Sequence, residues 1–358
     1  MSQTDLDAAP PLPPFPPDVD VGIVAFNARE TLPRALDCLR RAGTPTDQIA
    51  IYDMASTDDS VGWLAREWPG VTVVRLDHNN GPDPGRNLAL RSATRPYLLL
   101  LDADAYVRPD APARLRAALD PYARVGTAVP VVVHTHDPDR LQYAGGSMHF
   151  ICEAINPYLD QPLAARGTAL QDIGAAPGVA YLIDVRVAHH IGLFDDRYFI
   201  GKEDGDFCHR LVMAGYRLVE DPLAIVEHQS KPRSAWLFPC QIRNRWHFLL
   251  KNYELRTLLL LLPALAIHEP VQLAVIVRKG HFRAYAKAVR GLMPWLTTIG
   301  RERREIGARR VVHDRDLFFA APLVIRDDLV GGGVGRTLKR AYDVWLRGYW
   351  RVIRPLLP

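Results

Sequence analysis

Asp102 and Asp104 close the apolar run "LLLLDADAYV", residues 98–107, with Ala103 between them. Two carboxylates spaced D-x-D can share a hard divalent cation that keeps several waters and also holds substrate phosphates. The plainer role for such a pair is to cap the turn before "RPDAPARL". A second acidic group, "GKEDGDFCHRL", sets Glu203, Asp204 and Asp206 at a helix start, where the helix dipole by itself accounts for one or two acids. Asp206 stands four residues before Arg210, the spacing of a helical ion pair. Asp53 ends "IAIY", and His228 follows a strand and precedes the basic stretch "QSKPRS".

These residues need elements to position them. Strands are expected at 20–26, 48–53, 71–76 and 96–102, and helices at 30–42, 56–68 and 85–93, in strict alternation. That order implies a parallel sheet with right-handed crossovers, its strands apolar throughout because helices cover both faces. Open α/β sheets bind ligands outside the carboxyl ends of their strands. Asp53, Asp102 and Asp104 all fall at such ends, where the chain leaves the core. Beyond them "VGTAVPVVVH" and "LQYAGGSMHF" read as strands of a mixed sheet, followed by loop, strand and short helix.

At 358 residues and 48% apolar content the chain can bury a sizeable core. Its net charge of +4 hides an asymmetry: residues 1–230 hold 20 Lys+Arg against 31 Asp+Glu, whereas residues 231–358 hold 24 against 9. A basic tail on an acidic body favours an anionic partner such as a membrane leaflet or nucleic acid. No nucleic-acid module surrounds it, which argues against the second. The four cysteines are scattered without a C-x-x-C pair, so neither a zinc site nor a disulfide framework is expected and a reduced, cytoplasmic setting fits. Residues 1–18 read as a disordered proline-rich leader rather than a signal peptide.

In chain order, "VGIVAFNARETLPRALDCL", "YDMASTDDS", "NNGPDPGRNLAL", "YLLLLDADAYVRPDA", "GLFDDRYFIGKEDGDFCHRLVMAGYRLV" and "VEHQSKPRS" resemble the family 2 inverting glycosyltransferases, particularly bacterial rhamnosyltransferase-like members. The resemblance covers roughly residues 20–250 and implies an α/β GT-A fold, a Rossmann-like parallel sheet continuing into a mixed acceptor-side sheet. It assigns Phe26 to stacking on the nucleotide base with Glu30 nearby, Asp53 to the pyrimidine edge, and Arg86 to the neighbourhood of the nucleotide. Asp102 would hold the ribose or a metal-bound water, Asp104 would bind Mg²⁺ or Mn²⁺, and His228 would complete the metal and diphosphate site. Gly178 would lead a strand beneath the sugar pocket. Asp204 would be the general base, and Glu203 would shape the pocket beside it. Lys231, Arg233 and Ser234 could clamp phosphate, while Asp58 and Ser60 suit helix capping. The implied donor is a UDP-, dTDP- or GDP-linked sugar, and the implied acceptor a glycan or lipid-linked hydroxyl in cell-envelope polysaccharide synthesis.

Residues 251–358 form a helical extension on this reading, with the glycosyltransferase domain at 19–250. The stretch 257–280 is the most apolar of the chain but contains Pro263, His268, Glu269 and Pro270, so a broken pair of interfacial helices is expected rather than a membrane span. A soluble cap or a homodimer interface explains it too. "GGGVG" at 331–335 reads as a hinge, lacking the strand and Lys-Ser/Thr of a phosphate loop. The leading expectation is an enzyme at the inner face of the membrane. Its rival is a noncatalytic nucleotide-sugar-binding or membrane-docking module of the same fold.

Overall fold

The computed structural model describes residues 13–120, 123–230, 237–278, 280–323 and 333–358. Strands β1 (Val19–Ala25), β2 (Ile49–Asp53), β3 (Thr72–Arg75) and β4 (Tyr97–Asp102) form the parallel half of the sheet, in spatial order β4-β1-β2-β3. Helices α1 (Leu32–Arg41), α2 (Ser60–Glu67) and α3 (Asp83–Ser92) connect them. The leucine run of β4 follows from burial on both faces: Leu99 and Leu101 enter one core cluster, and Leu98 and Leu100 the other. The same two-sided burial fills β1, whose Val21 and Ile23 enter the first cluster and Val24 the second. Phe15 is buried in the same core, so the proline-rich leader expected through residue 18 gives way to packed chain earlier; residues 1–12 lie outside the described residues.

Register brings the strand ends into one row. Val24 pairs with Asp102, Ala25 with Asp53, and Asp53 with Arg75. Sheet order reverses about β1, which opens a crevice at the carboxyl ends of β1 and β4. After the turn at Asp102 and Asp104 come β5 (Ala105–Val107) and α4 (Ala111–Ala118), then β6 (Val125–His134) and β7 (Asp137–Tyr143). The hairpin β8 (Ser147–Met148) and β9 (Ala154–Ile155) stands apart from the main sheet, so the strand expected across "LQYAGGSMHF" is broken at Ala144–Gly146. Short β10 (Gln171–Asp172), β11 (Ala180–Asp184), α5 (Val185–Ile191), α6 (Glu203–Met213) and β12 (Arg217–His228) complete the mixed half. There β11 runs antiparallel between β4 and β6, and β12 pairs with β6, β10 and β5.

The chain then becomes helical: α7 (Phe238–Asn252), α8 (Leu255–Arg278), α9 (Phe282–Leu296), α10 (Ile299–Gly307) and α11 (Gly333–Ile353). Here α8 corrects the expectation of a broken pair, because it is one 24-residue helix that carries Pro263 and Pro270 inside it. Each proline removes one backbone hydrogen bond. Side-chain ties along the buried face offset that loss: Leu261, Ala264 and Leu265 are buried in a core with Phe248, Phe318 and Trp350, His268 Nδ1 bonds the Tyr342 hydroxyl at 2.9 Å, and Gln272 donates to Glu153 at 2.9 Å. The expected boundary at residue 250 falls inside α7.

Candidate active site

At the end of β2, Asp53 is 1% exposed. Its Oδ2 accepts from the Ser56 amide at 3.1 Å and lies 3.6 Å from Arg75 Nε, while Oδ1 is buried with no protein donor. An open hollow of about 390 Å³, lined by Arg75, Leu76, Asp77, His78 and Asn80, adjoins the end of β3. Phe26, the first residue after β1, is 46% exposed, and Glu30 lies on the exposed surface before α1. The loops after β1 and β2 are joined: Asn27 donates through its amide to Ser56 Oγ at 2.8 Å and accepts at Oδ1 from the Thr57 amide at 2.8 Å. Asp58 takes the Arg29 amide and the Ser60 amide and so anchors the turn ahead of α2; the cap position itself is Asp59, whose side chain makes no capping bond.

The D-x-D pair divides. Asp102 turns toward α3, where Arg86 Nη2 donates to its Oδ1 at 3.0 Å. Arg86 itself is 2% exposed, and it also donates to Asp83 Oδ1 at 3.1 Å and to the Gly178 carbonyl at 3.1 Å. It is therefore an internal strut between β4, α3 and the loop before β11. Burial would weaken its charge, but Asp102, Asp83 and Glu203 around it hold the guanidinium firmly protonated. Burial raises the Asp102 carboxyl above its usual value, against the pull of Arg86.

Asp104 turns the other way. Its Oδ1 lies 3.5 Å from His228 Nε2, brought there because β5 and the end of β12 pair in register Ala105 with His228. His228 Nδ1 donates to Gln142 Oε1 at 2.6 Å. A carboxamide oxygen only accepts, so Nδ1 carries a proton and Nε2 is the ring nitrogen turned to Asp104. That donor set suits a divalent cation, with Gln142 as the outer partner that orients the ring. Asp195, His247 and Glu302 also bring ligand atoms within 4.8 Å of one another. Arg197 and Lys251 already neutralise both of those carboxylates.

Across the crevice, α6 begins with Glu203 and Asp204. Asp204 Oδ2 accepts from the Gly178 amide at 3.2 Å, and its Oδ1 from the Gly205 amide at 2.7 Å. Gly178 thus joins the two acidic clusters, its carbonyl on Arg86 and its amide on Asp204. A Cβ at this position would stand 2.3 Å from Arg86 Nη2, which is why no side chain fits. Asp204 is half-buried, whereas Glu203 is 7% exposed with Oε2 lacking a protein partner. Burial, and then the charge of Asp204, push the Glu203 carboxyl up to about 7, with Arg86 opposing. Asp206 pairs with Arg210 at 2.8 Å, the helical spacing expected of it.

Residues 20–170 match the family model described as glycosyl transferase family 2. That segment is similar to family 2 glycosyltransferases. Among curated relatives, the succinoglycan biosynthesis protein ExoO of Rhizobium meliloti (strain 1021) is 29% identical over 139 residues, 38% of this chain and 38% of that protein. The pre-mycofactocin glycosyltransferase of Mycobacterium tuberculosis (strain CDC 1551 / Oshkosh) is 28% identical over 242 residues, 63% of this chain and 46% of the other. The chain spans less than half the length of each. The crystal structure of GalNAc-T7 with UDP, GalNAc and Mn²⁺ aligns at a TM-score of 0.52 and 19% identity, over 65% of this chain and 47% of that one, a likeness of fold. The fold is GT-A, with the parallel half of the sheet continuing into the mixed half.

Gly178, Glu203, Asp204 and His228 lie beyond the segment the family model matches. Three site residues carry no motif of their own: Asp83 under Arg86, Gln142 behind His228, and Arg75 beside Asp53. Asp83 stands three residues before Arg86, which is a helical pairing distance, and Arg75 ends β3 as Asp53 ends β2; Gln142 has no comparable signal. Lys231, Arg233 and Ser234 lie outside the described residues.

Proposed function

We propose that the chain is a metal-dependent, inverting glycosyltransferase that moves a sugar from a nucleoside diphosphate donor to a hydroxyl of a glycan or lipid-linked acceptor. One observation carries the reading: Asp102, Arg86, Gly178 and Asp204 form a continuous hydrogen-bonded series between the strand-end acids and the acids of α6. In the reaction the acceptor O–H proton passes to the Asp204 carboxylate. The acceptor oxygen bonds to the sugar anomeric carbon as the bond to the diphosphate breaks, and the nucleoside diphosphate leaves with that electron pair. Asp204 is preferred to Glu203 as base because it is the more exposed of the two, and a base must reach the acceptor.

Asp104 and His228 are the residues to hold Mg²⁺ or Mn²⁺, with Asp102 beside them on the ribose or on a metal-bound water. When bound, the cation offsets the charge of the departing diphosphate. Asp53, at the end of β2, is the residue assigned to the nucleobase edge; its Oδ1 is buried without a protein donor. Phe26 supplies an exposed ring to stack on the base, and Glu30 stands on the same loop.

Between Arg256 and Arg278 the exposed large side chains of α8 are Leu259, Leu262, Ile267, Val271 and Val277. The helix is long and apolar enough to cross a membrane by length and composition, yet only 24% of its most apolar window is buried. An apolar face bounded by arginines suits the headgroup boundary of an anionic leaflet, which would place the enzyme at the cytoplasmic face.

Release of nucleoside diphosphate from a panel of UDP-, dTDP- and GDP-sugars with Mn²⁺, followed by the anomeric configuration of the product, tests the reading. Asp204→Asn is expected to lower kcat by about 10²–10⁴-fold with the donor KM little changed, and chelation by EDTA to abolish turnover. Near-normal transfer by Asp204→Asn, or turnover that survives EDTA, would sink the base or the metal respectively.

A further inference from the structure

Three polar residues on one face of α7, spaced i, i+3 and i+7, hold the chain that leads into the catalytic acids. Asn244 Nδ2 donates to the carbonyls of Ile200 at 3.1 Å and Gly201 at 2.7 Å. His247 Nδ1 bonds the Tyr198 hydroxyl at 2.8 Å. Lys251 Nζ donates to Asp195 Oδ2 at 2.7 Å and to Asp206 Oδ1 at 2.6 Å. These side chains are 0–3% exposed for His247 and Lys251, and Asn244 is 0% exposed as a residue. These five contacts all fall between residues 195 and 206, the stretch that contains Glu203 and Asp204. Within it Gly201 and Lys202 both sit at positive φ, +88° and +75°, a local bend that a lysine adopts only when its surroundings impose it.

The grip is braced from behind. Arg197 bonds both oxygens of Asp195 and both oxygens of Glu302 on α10, and Glu302 in turn accepts from His247 Nε2 at 2.9 Å. Asp195, Asp206 and Glu302 therefore face Lys251, Arg197 and Arg210, a balanced set that leaves no net charge for a metal to satisfy. Burial would raise the Asp206 carboxyl, but Lys251 and Arg210 overcome it and hold it at about 2. Such a set resists rearrangement, because removing one partner leaves a buried charge uncompensated.

We propose that Asn244, His247 and Lys251 are positioning residues that hold the 195–206 segment, and with it Asp204, in place for proton abstraction, so that sugar transfer requires the helices that follow β12. The proposal rests on the reading of Asp204 as base. It makes α7 and α10 part of the catalytic apparatus rather than an appended region.

The test uses the full chain. Wild-type protein is first shown to release nucleoside diphosphate in an acceptor-dependent manner; failure there is failure of the functional reading, not of the clamp. In active protein, Lys251→Met is expected to lower kcat roughly 30-fold or more with the donor KM within about threefold, since Asp53, Asp102 and Asp104 are untouched. Adding Asp206→Asn to Lys251→Met removes one of the two carboxylates that Lys251 bridges, which returns the buried set to charge balance, and is expected to recover about tenfold of the lost kcat. Folding is followed by binding of UDP with Mn²⁺ in calorimetry. If Lys251→Met does not fold, Asn244→Ala decides, because it removes only two neutral hydrogen bonds; a fall in kcat of roughly fivefold or more at unchanged donor KM is expected. The proposal is overturned if the folded variants keep kcat within about threefold of wild type, if kcat falls only in step with the folded fraction, or if the double variant is no better than Lys251→Met.

Discussion

Gly178 is bonded to Asp204 through its amide at 3.2 Å, while its carbonyl takes Arg86, the same guanidinium that holds Asp102. One peptide unit thereby sets the spacing between the strand-end acids and the acids of α6. Any side chain at 178 would enter the space of Arg86.

Gly178→Ala is therefore expected to destabilise the fold by about 1–3 kcal/mol through overpacking. It should also lower kcat more than the loss of folded protein explains. Urea unfolding beside steady-state kinetics separates the two; wild-type stability and rate in the variant would show that Arg86 has room to yield.

Gln142→Leu removes the acceptor that keeps the His228 proton on Nδ1. The variant is expected to bind Mn²⁺ about 10–100-fold more weakly, with much of the rate restored at saturating Mn²⁺. An unchanged Mn²⁺ dependence would place the cation elsewhere.

Glu203 predicts a particular pH dependence. Its carboxyl is raised from 4.5 to about 7 in the folded chain, so between those values the folded state binds more protons than the unfolded state. Stability contributed by the protonated acid is complete below pH 4.5 and is lost as the pH rises through 7. Glu203→Gln should make the fall shallower and stabilise the protein at pH 8 by on the order of 3 kcal/mol. Denaturant titrations across this range, without metal or donor, check the sign; a variant less stable at pH 8 would contradict it.

The exposed face of α8 is expected to bring the protein down with vesicles of phosphatidylglycerol and phosphatidylcholine, less so at raised salt. Leu259→Asp with Leu262→Asp should leave it in the supernatant with its activity on a soluble acceptor retained. Should wild-type protein ignore vesicles but change from dimer to monomer on these substitutions, the face belongs to a second copy of the chain.

What the sequence by itself determined is the part governed by local pattern. Alternating strands and helices, the leucine run buried on two faces, the carboxylates at strand ends and the Asp206–Arg210 pair all follow from periodicity over a few residues. Only the tertiary structure decided what those residues touch. Arg86, set near the nucleotide by the family resemblance alone, is a buried strut, which no local pattern announces because its partner Gly178 is 92 positions away. Gln142 and His228, 86 positions apart, meet only through the pairing of β7, β6 and β12, and the two prolines of α8 are tolerated because tertiary contacts hold the helix. Contacts of that range depend on sheet register and helix docking, which are set by the packing of the whole core and leave no periodic trace in the residues that make them.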